Sequence, residues 1–223
     1  MGTLYVVATP IGNLKDITLR AIEVLQQVSV IACEDSRITG KLLAEHHIKT
    51  PLTTYHQHSS AHKIQEITGR LKEGENIALV TDAGTPGIQD PGGKLVAEAL
   101  EAGINIEAVP GPSAITAALS IAGVNSDAFC FLGFLPKKKG RQTLMKHIKE
   151  LDIPLVIYES PMRVIKTITE LEATLDNCQI IAMRELTKKF AEIKRGTAKE
   201  LIKHFSHKKP KGEFVIIVLP GIY

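Results

Sequence analysis

A regular alternation of short apolar runs with amphipathic stretches constrains the fold of this 223-residue chain more than any other feature. In the first half, strand-like runs occupy residues 3–10, 29–35, 51–56, 76–82 and 104–111. Helix-like stretches lie between them at residues 16–28, 38–47, 61–74 and 92–103, the first with Asp16 as a possible N-cap. Strands that alternate with helices form βαβ units, so the pattern predicts a mostly parallel sheet with helices on both faces.

The second half continues the alternation and adds a segment typical of antiparallel pairing. Residues 190–197, FAEIKRGT, indicate a hairpin arm after the strand-like run at 179–186. Between the halves, a Pro-Gly turn at 110–111 leads into a helix of small residues and marks the expected hinge. We therefore predict an α/β protein of two domains, residues 1–113 with a mostly parallel sheet and residues 114–223 with a mixed sheet.

Composition and cysteine usage narrow the class of protein. No apolar run approaches the roughly 20 residues of a membrane helix, and the first residues lack the basic region and long apolar core of a signal peptide. Cys33, Cys130 and Cys178 are odd in number and far apart, which indicates reduced core thiols rather than disulfides. These features predict a cytoplasmic protein.

Charge is unevenly distributed along the chain. Residues 1–135 carry 9 Lys and Arg against 14 Asp and Glu, a net charge of −5, whereas residues 136–223 carry 18 against 10, a net charge of +8. Such asymmetry suggests a polyanionic partner for the second domain, although solvated lysine faces alone would produce the same balance.

Irregular segments rich in glycine and proline follow several predicted strands of the first half. In parallel sheets, ligands bind outside the carboxyl ends of the strands, where glycine allows close approach to the backbone and proline holds a loop rigid. Asp82, in ALVTDAGTPG, could accept hydrogen bonds from ribose hydroxyls, face a cation, or cap the next helix. Neither G-x-G-x-x-G nor a complete P-loop is present, which argues against dinucleotide and Mg-nucleotide binding.

Eight motifs, in this order, resemble the ribosomal RNA small subunit methyltransferase I family of the tetrapyrrole methylase superfamily. They are VATPIGNLKDITLRA, ACEDSR, ALVTDAGTPGIQDPG, VPGPSAITAAL, GFLPKKKGR, YESPMR, MRELTKKFAE and KGEFVIIV. The resemblance implies two α/β domains of the tetrapyrrole methylase type with S-adenosylmethionine (SAM) in the cleft between them, and a homodimer. It also implies 2′-O-methylation of a decoding-centre cytidine in 16S (small-subunit) ribosomal RNA or the assembled small subunit, with no metal.

The resemblance places eight residues in the SAM pocket. They are Pro10, Asp82, Gly84, Thr85, Ser113, Ala114, Tyr158 and Gly212. For Gly84 a tight turn without a ligand remains open as an alternative, as does helix capping for Asp82.

Transfer to a ribose hydroxyl needs a group that orients or deprotonates it. The candidates for this base are the carboxylates of Glu34, Asp35 and Glu185, and the imidazole of His56. Arg37 could hold a phosphate or pair with Asp35. His56, His58 and His62 are closely spaced, but no cysteine lies near them in sequence to complete a zinc site, so we predict no metal.

The basic run KKKGR supplies the predicted RNA contacts, which are Lys137, Lys138, Lys139 and Arg141. A solvated loop is the alternative. Two rival functions also remain: a tetrapyrrole (precorrin or uroporphyrinogen) C-methyltransferase, and a catalytically impaired RNA- or SAM-binding module. The second arises because members of the resembled family usually continue past the last strand into a helical segment, which this sequence, ending at Tyr223, does not include.

Overall fold

The structure, a computed structural model, describes residues 1–57, 59–175, 177–207 and 210–221, so that His58 and Tyr223 lie outside the described residues. The chain divides into two compact units, Met1–Ser113 and Ala114–Tyr223. Within the described ranges, no helix is both long and apolar enough to cross a membrane.

The first unit is built on a parallel sheet. Its strands are β1 (Thr3–Val7), β2 (Val30–Cys33), β3 (Leu52–Thr54), β4 (Ile77–Leu79) and β5 (Asn105–Val109). Among the described residues they lie in the order β3-β2-β4-β1-β5, and every pairing is parallel. The helices are α1 (Leu19–Gln27), α2 (Ser36–Glu45), α3 (Ala61–Lys72) and α4 (Gly92–Glu101). The predicted parallel α/β arrangement is confirmed.

Alternation along each strand supplies two apolar cores. On β4, Ile77 and Leu79 pack into one core with α3 and α4, whereas Ala78 packs into the other with α1 and α2. Because successive strand side chains point to opposite faces, strands that are apolar throughout need a helical layer on each side.

The N-cap predicted for the first helix is wrong by two residues. Asp16 ends a short 3₁₀ turn, Leu14–Asp16, and α1 begins after Thr18. The Thr18 hydroxyl accepts a hydrogen bond from the backbone N–H of Ala21 at 3.1 Å, which satisfies one of the unpaired amides of the first turn.

The second unit has a mixed sheet, as predicted. Its strands are β6 (Cys130–Phe134), β7 (Leu155–Glu159), β8 (Gln179–Arg184), β9 (Glu192–Thr197) and β10 (Phe214–Leu219), in the order β6-β7-β10-β8-β9 within the described residues. Only β6 and β7 run parallel among these pairs, and β9 is the predicted hairpin arm on β8. The helices are α5 (Ala114–Ala122), α6 (Arg141–Lys149), α7 (Val164–Thr174) and α8 (Ala198–Ser206).

A buried polar network joins β7 to α7. Glu159 is fully buried, and its Oε1 lies 2.7 Å from the guanidinium of Arg163 and accepts a hydrogen bond from the Ser160 amide at 2.7 Å. Its Oε2 accepts from the hydroxyl of Thr167, also fully buried, at 2.7 Å. A carboxylate removed from water persists only where it is paired and hydrogen-bonded, so each of these partners supports the fold.

Removing the cationic partner tests this network. We expect Arg163→Met to lower the free energy of unfolding by about 3 kcal/mol, since it leaves the Glu159 charge buried and without its ion-pair partner. Lys199→Met, an exposed change of the same type on α8, should alter it by no more than about 0.5 kcal/mol. Urea denaturation of both variants measures the difference, and equal values would contradict a stabilising role for the pair.

Candidate functional site

Backbone hydrogen bonds connect the loops at the carboxyl edge of the first sheet. The Thr9 amide, after β1, donates to the carbonyl of Gly84 at 2.9 Å, and the Gly84 amide, after β4, donates back to Thr9 at 3.0 Å. The Thr9 hydroxyl adds a third bond, to the carbonyl of Thr81, at 3.0 Å. Pro10, which follows Thr9, is buried. The loops after β1 and β4 therefore form one fixed unit.

Gly84 also lies against the loop that follows β5. Its φ of +88° lies in the left-handed region that favours glycine. A Cβ there would meet Ile11 Cγ2 at 3.4 Å and the Pro112 carbonyl at 3.8 Å. Thr85 donates from its hydroxyl to the same carbonyl at 3.2 Å. Gly84 thus lies where the loops after β1, β4 and β5 meet.

Asp82 connects this edge to the loop after β2. Its Oδ1 accepts a hydrogen bond from the backbone N–H of Asp35 at 3.0 Å. Helix capping by Asp82 is not what the structure shows, because α4 follows Pro91 without a side-chain cap. Burial raises the pKa of the Asp82 carboxyl, while the Asp35 hydrogen bond opposes that rise.

Asp35 is held in its ionised form by its neighbour. Its carboxylate accepts from the side chain and the backbone N–H of Arg37, and these bonds lower the pKa of Asp35 to about 2. It also caps α2. The Arg37 guanidinium lies 2.5 Å from Asp35, so the ion pair proposed from sequence is present.

Glu34 has the opposite environment, although it adjoins Asp35. Burial raises the pKa of the Glu34 carboxyl, and the negative charge of Asp82 raises it further. A hydrogen bond from the Thr81 hydroxyl, 3.3 Å from Glu34 Oε2, and the charge of His56 act in the other direction. Within this unit, Glu34 is therefore the better proton acceptor of the two adjacent carboxylates.

His56 is exposed in the turn after β3, where its amide donates to the Ser59 hydroxyl at 2.9 Å. Of its two neighbours in the histidine run, His58 lies outside the described residues and His62 is exposed on α3. Among the described residues, no group of three or more histidine, cysteine, aspartate or glutamate side chains is arranged to hold a metal ion.

In the second unit, Glu185 and Gly212 are in direct contact. A Cβ on Gly212 would lie 2.3 Å from the Glu185 side chain, and Gly212 itself has a φ of +81°. Glu185 Oε1 accepts from Lys188 Nζ at 2.8 Å and from the Glu213 amide at 3.0 Å. Burial raises the pKa of Glu185, but these bonds outweigh it and leave the pKa below its ordinary value. Glu185 therefore fixes the turn before β10 and is a weak base.

The turn after β8, which contains Glu185, has a strained backbone. Glu185 and Thr187 have φ values of +53° and +65°, and a β-branched residue is rare in that region. Such conformations persist only where the surroundings enforce them, and they concentrate at functional sites.

Tyr158 lies near the end of β7, at the edge of the second sheet where β8 ends and β10 begins. Its ring contacts two other aromatic rings. Its ring centroid is 4.9 Å from that of Phe131 and 5.7 Å from that of Phe134, both in edge-to-face geometry. Burial raises the pKa of Tyr158 to about 12, so the phenol stays protonated and can donate a hydrogen bond. Ser113 ends the first unit, and Ala114 begins α5 in the second.

The basic run KKKGR separates into two environments. Lys137, Lys138 and Lys139 are exposed, whereas Arg141 is 7% exposed. The Arg141 guanidinium donates to the Pro136 carbonyl at 2.9 Å and to Thr167 at 2.8 Å, with Glu170 Oε2 2.5 Å away. The prediction that Arg141 contacts RNA is therefore corrected, because its donors are committed inside the protein.

Comparison with known proteins identifies the family. The family model for tetrapyrrole (corrin/porphyrin) methylases matches residues 3–202. The chain belongs to this family. The Synechocystis sp. protein named ribosomal RNA small subunit methyltransferase I is 46% identical to this chain, and the match covers 98% of this chain and 79% of that protein. The Thermotoga maritima protein of the same name is 43% identical, and the match covers 98% of each chain. At these identities, the chain also belongs to the ribosomal RNA small subunit methyltransferase I family.

Solved structures support the same fold. A diphthine synthase superposes with a TM-score of 0.79 at 14% identity, over 98% of this chain and 90% of that chain. A cobalt precorrin-4 methyltransferase superposes with a TM-score of 0.72 at 18% identity, over 96% and 94%. Both are tetrapyrrole-methylase-fold proteins, and at these identities the likeness concerns the fold alone.

Methyltransferases of this family use SAM as methyl donor, and the first unit has the features to receive it. Gly84 carries no side chain, so a ligand can approach the backbone of this loop closely. The Asp82 carboxylate, held by the Asp35 amide, offers an acceptor for hydroxyls or ammonium groups. A carboxylate acceptor beside a loop that a ligand can approach closely therefore fits SAM.

The sequence did not point to Thr9, Thr81 or Lys188, although all three hold site residues in place. Thr9 and Thr81 lie two residues past the ends of β1 and β4, in the Gly/Pro loops. A small hydroxyl residue at a strand end, adjacent to such a loop, is the signal that could have found them. Lys188 had no comparable signal, since its pairing with Glu185 depends on the strained turn.

Substitution of Gly84 tests the cofactor loops. We expect Gly84→Ala to weaken SAM binding about tenfold, because an alanine at this φ strains the backbone by about 1–2 kcal/mol where the loops converge. Gly93→Ala, with nothing within 4 Å of the added Cβ, should leave affinity unchanged. Isothermal titration calorimetry with SAM compares the two, and equal affinities would place the cofactor elsewhere.

Proposed function

We propose that this chain transfers a methyl group from SAM to the 2′-hydroxyl of a decoding-centre cytidine in small-subunit ribosomal RNA. The observation that carries the proposal is the likeness to proteins named ribosomal RNA small subunit methyltransferase I. It extends over nearly the whole chain and includes an Escherichia coli O157:H7 protein that is 46% identical over 97% of this chain and 77% of its own length.

The first unit would hold the cofactor through its loops. Asp82, Gly84 and Thr85 come from the loop after β4, and Pro10 comes from the loop after β1. Bound SAM would supply a methyl group that is attached to a positively charged sulfur. On transfer, the sulfur would keep the electron pair of the broken S–C bond and become neutral. Because displacement of this kind depends on alignment, a loop set fixed by backbone hydrogen bonds suits it.

Glu34 is the proposed general base. It would accept the proton that the ribose hydroxyl loses as its oxygen forms the new bond to carbon. Efficient bases have pKa values close to the working pH, and burial together with the Asp82 charge moves Glu34 in that direction. Asp35 and Glu185 have lowered pKa values and fixed ionic partners, which makes both poorer acceptors.

The second unit would supply the grip on RNA. Lys137, Lys138 and Lys139 are exposed next to one another on the loop before α6. Lysines of this kind neutralise phosphates without reading sequence, which suits a target recognised within folded RNA by shape.

Methyl transfer from labelled SAM to small ribosomal subunits that lack ribose methylation tests the reaction. We expect label on a cytidine 2′-oxygen with the wild-type protein and its loss with Asp82→Ala, since that change removes the acceptor held by Asp35. A porphyrinoid substrate panel serves as the comparison. Label on a porphyrinoid carbon and none on RNA would contradict the proposal.

Substitution of Glu34 tests the base. We expect Glu34→Gln to lower kcat about 10²–10⁴-fold with little change in SAM affinity. In the wild type, the rate should fall as the pH drops through the raised pKa of Glu34, because the protonated carboxyl cannot accept a proton.

The pH profile separates this role from a structural one. The acidic limb should be absent in Glu34→Gln and unchanged in Glu45→Gln, an exposed change on α2. An acidic limb that persists in Glu34→Gln would assign the proton transfer to another group.

A further inference from the structure

A groove on the second unit brings further lysines beside the KKK loop. It has a volume of about 770 Å³ and runs between the loop Lys137–Gly140 and helices α6 and α7. Lys146 of α6 and Lys166 of α7 line it together with the three loop lysines. We refer to this feature, with its five lysines, as the lysine groove.

The positive charge of the lysine groove is largely uncompensated. Within the described residues, Lys137, Lys138, Lys139 and Lys146 form no salt bridge, and Lys166 reaches Glu170 only at 3.8 Å. Glu170, the acidic residue of the lining, is already paired with Arg141. Clustered like charges repel one another, so a groove of this composition favours a polyanion.

The lining also indicates how an occupant is recognised. None of the lining residues is aromatic, so the groove offers no surface on which bases can stack. Its remaining polar groups belong to residues such as Gln142 and Thr143, which hydrogen-bond readily to phosphate oxygens. These features suit contact with a backbone rather than with base edges.

Two arginine side chains hold the residues just before the three loop lysines. Arg141 Nη1 donates to the Pro136 carbonyl at 2.9 Å, and Arg163 Nη1 donates to the Leu135 carbonyl at 2.9 Å. Both arginines are themselves held by the Glu159–Thr167 network. A loop ordered before binding loses less conformational entropy when a ligand binds.

We propose that the lysine groove binds the phosphodiester backbone of RNA, with Lys146 and Lys166 as phosphate contacts and Arg141 as the residue that positions the loop. This inference rests on the proposed function and extends it, because it places the RNA grip on two helices as well as on the KKK loop.

A salt titration of RNA binding tests the phosphate contacts. The probe is a fluorescently labelled RNA hairpin, and the double variant Lys146→Gln/Lys166→Gln is compared with Lys199→Gln/Lys203→Gln, an equal charge change on α8. The plot of log affinity against log salt should lose about 0.7–0.9 in slope for each phosphate contact removed. Affinity at 0.1 M salt should fall about tenfold or more in the groove variant, and less in the α8 control.

Equal losses in the two double variants would overturn the proposal, since general attraction would then explain the binding. Competition by millimolar inorganic phosphate or ATP that displaces the hairpin from the wild type, but not from the groove variant, would also overturn it in favour of a small-anion site.

Arg141→Lys distinguishes positioning from direct contact. We expect it to weaken RNA binding with an unchanged salt slope and unchanged SAM affinity, because no phosphate contact is lost. A slope reduced by one contact would mean that Arg141 touches RNA and would overturn its positioning role. Circular dichroism verifies that this variant folds, and if it does not, Arg141→Gln with Glu170→Gln provides the second comparison.

Failure of the groove and failure of the proposed function give different results. If the wild type labels a ribose oxygen and the groove variant keeps its RNA affinity, the groove proposal is wrong and the function stands. If the groove variant loses RNA affinity but no ribose is labelled, the groove stands and the reaction is wrong.

Discussion

Two reciprocal hydrogen bonds between Thr9 and Gly84 hold together the part of the molecule on which the candidate site depends. Parallel strands bring their carboxyl ends to one edge, but the edge alone does not fix the loops that extend from it. The paired amides and carbonyls of these two residues behave as a one-rung antiparallel bridge beyond the sheet. With the loops after β1 and β4 joined in this way, Thr85 can reach Pro112 and Asp82 can reach the Asp35 amide. The site is therefore preorganised mainly by backbone atoms, which substitution of surface side chains does not disturb.

Three neighbouring carboxylates at this edge differ in their protonation because their partners differ. Asp35 faces Arg37, which holds its pKa low, whereas burial raises the pKa values of Glu34 and Asp82. The negative charge of Asp82 raises the pKa of Glu34 further, and the charge of Asp35 does the same for Asp82. Because the Arg37 guanidinium pairs with Asp35, it does not lower the pKa of Glu34 in the same way, and Glu34 takes up a proton more readily. Environments that push the pKa values of adjacent groups apart are how proteins assign acid and base roles. The arrangement gives Glu34 and Asp35, which are adjacent in sequence, pKa shifts in opposite directions.

The alternation of apolar and amphipathic segments was enough to predict both sheets. Each strand and helix buries one face or both in a core, so its apolar residues recur with the period of that element. The hairpin arm at β9 followed from the same pattern. Asp16 was mistaken for a cap because Asp and Thr are both good N-caps, and only the chain path selects Thr18. The site was harder to predict. Asp82 and Gly84 lie in the loop after β4, at the carboxyl edge of the first sheet. The partners of Thr9, Thr81 and Glu185 could not be predicted, because their hydrogen bonds join residues distant in sequence.

The run KKKGR shows why neighbouring residues of like charge need not share a function. A lysine tolerates exposure well, since its ammonium group is strongly hydrated, whereas the planar guanidinium of arginine can satisfy several acceptors at once in a buried position. Arg141 uses this property to join Pro136, Thr167 and Glu170. The repulsion among the lysines would favour an open, disordered loop, and the buried network opposes it by holding the loop at Leu135 and Pro136. Glu159 is thus connected to the exposed charges through Arg163 and Thr167, although it lies wholly in the interior. A residue in the interior can in this way determine how the lysines are presented at the surface.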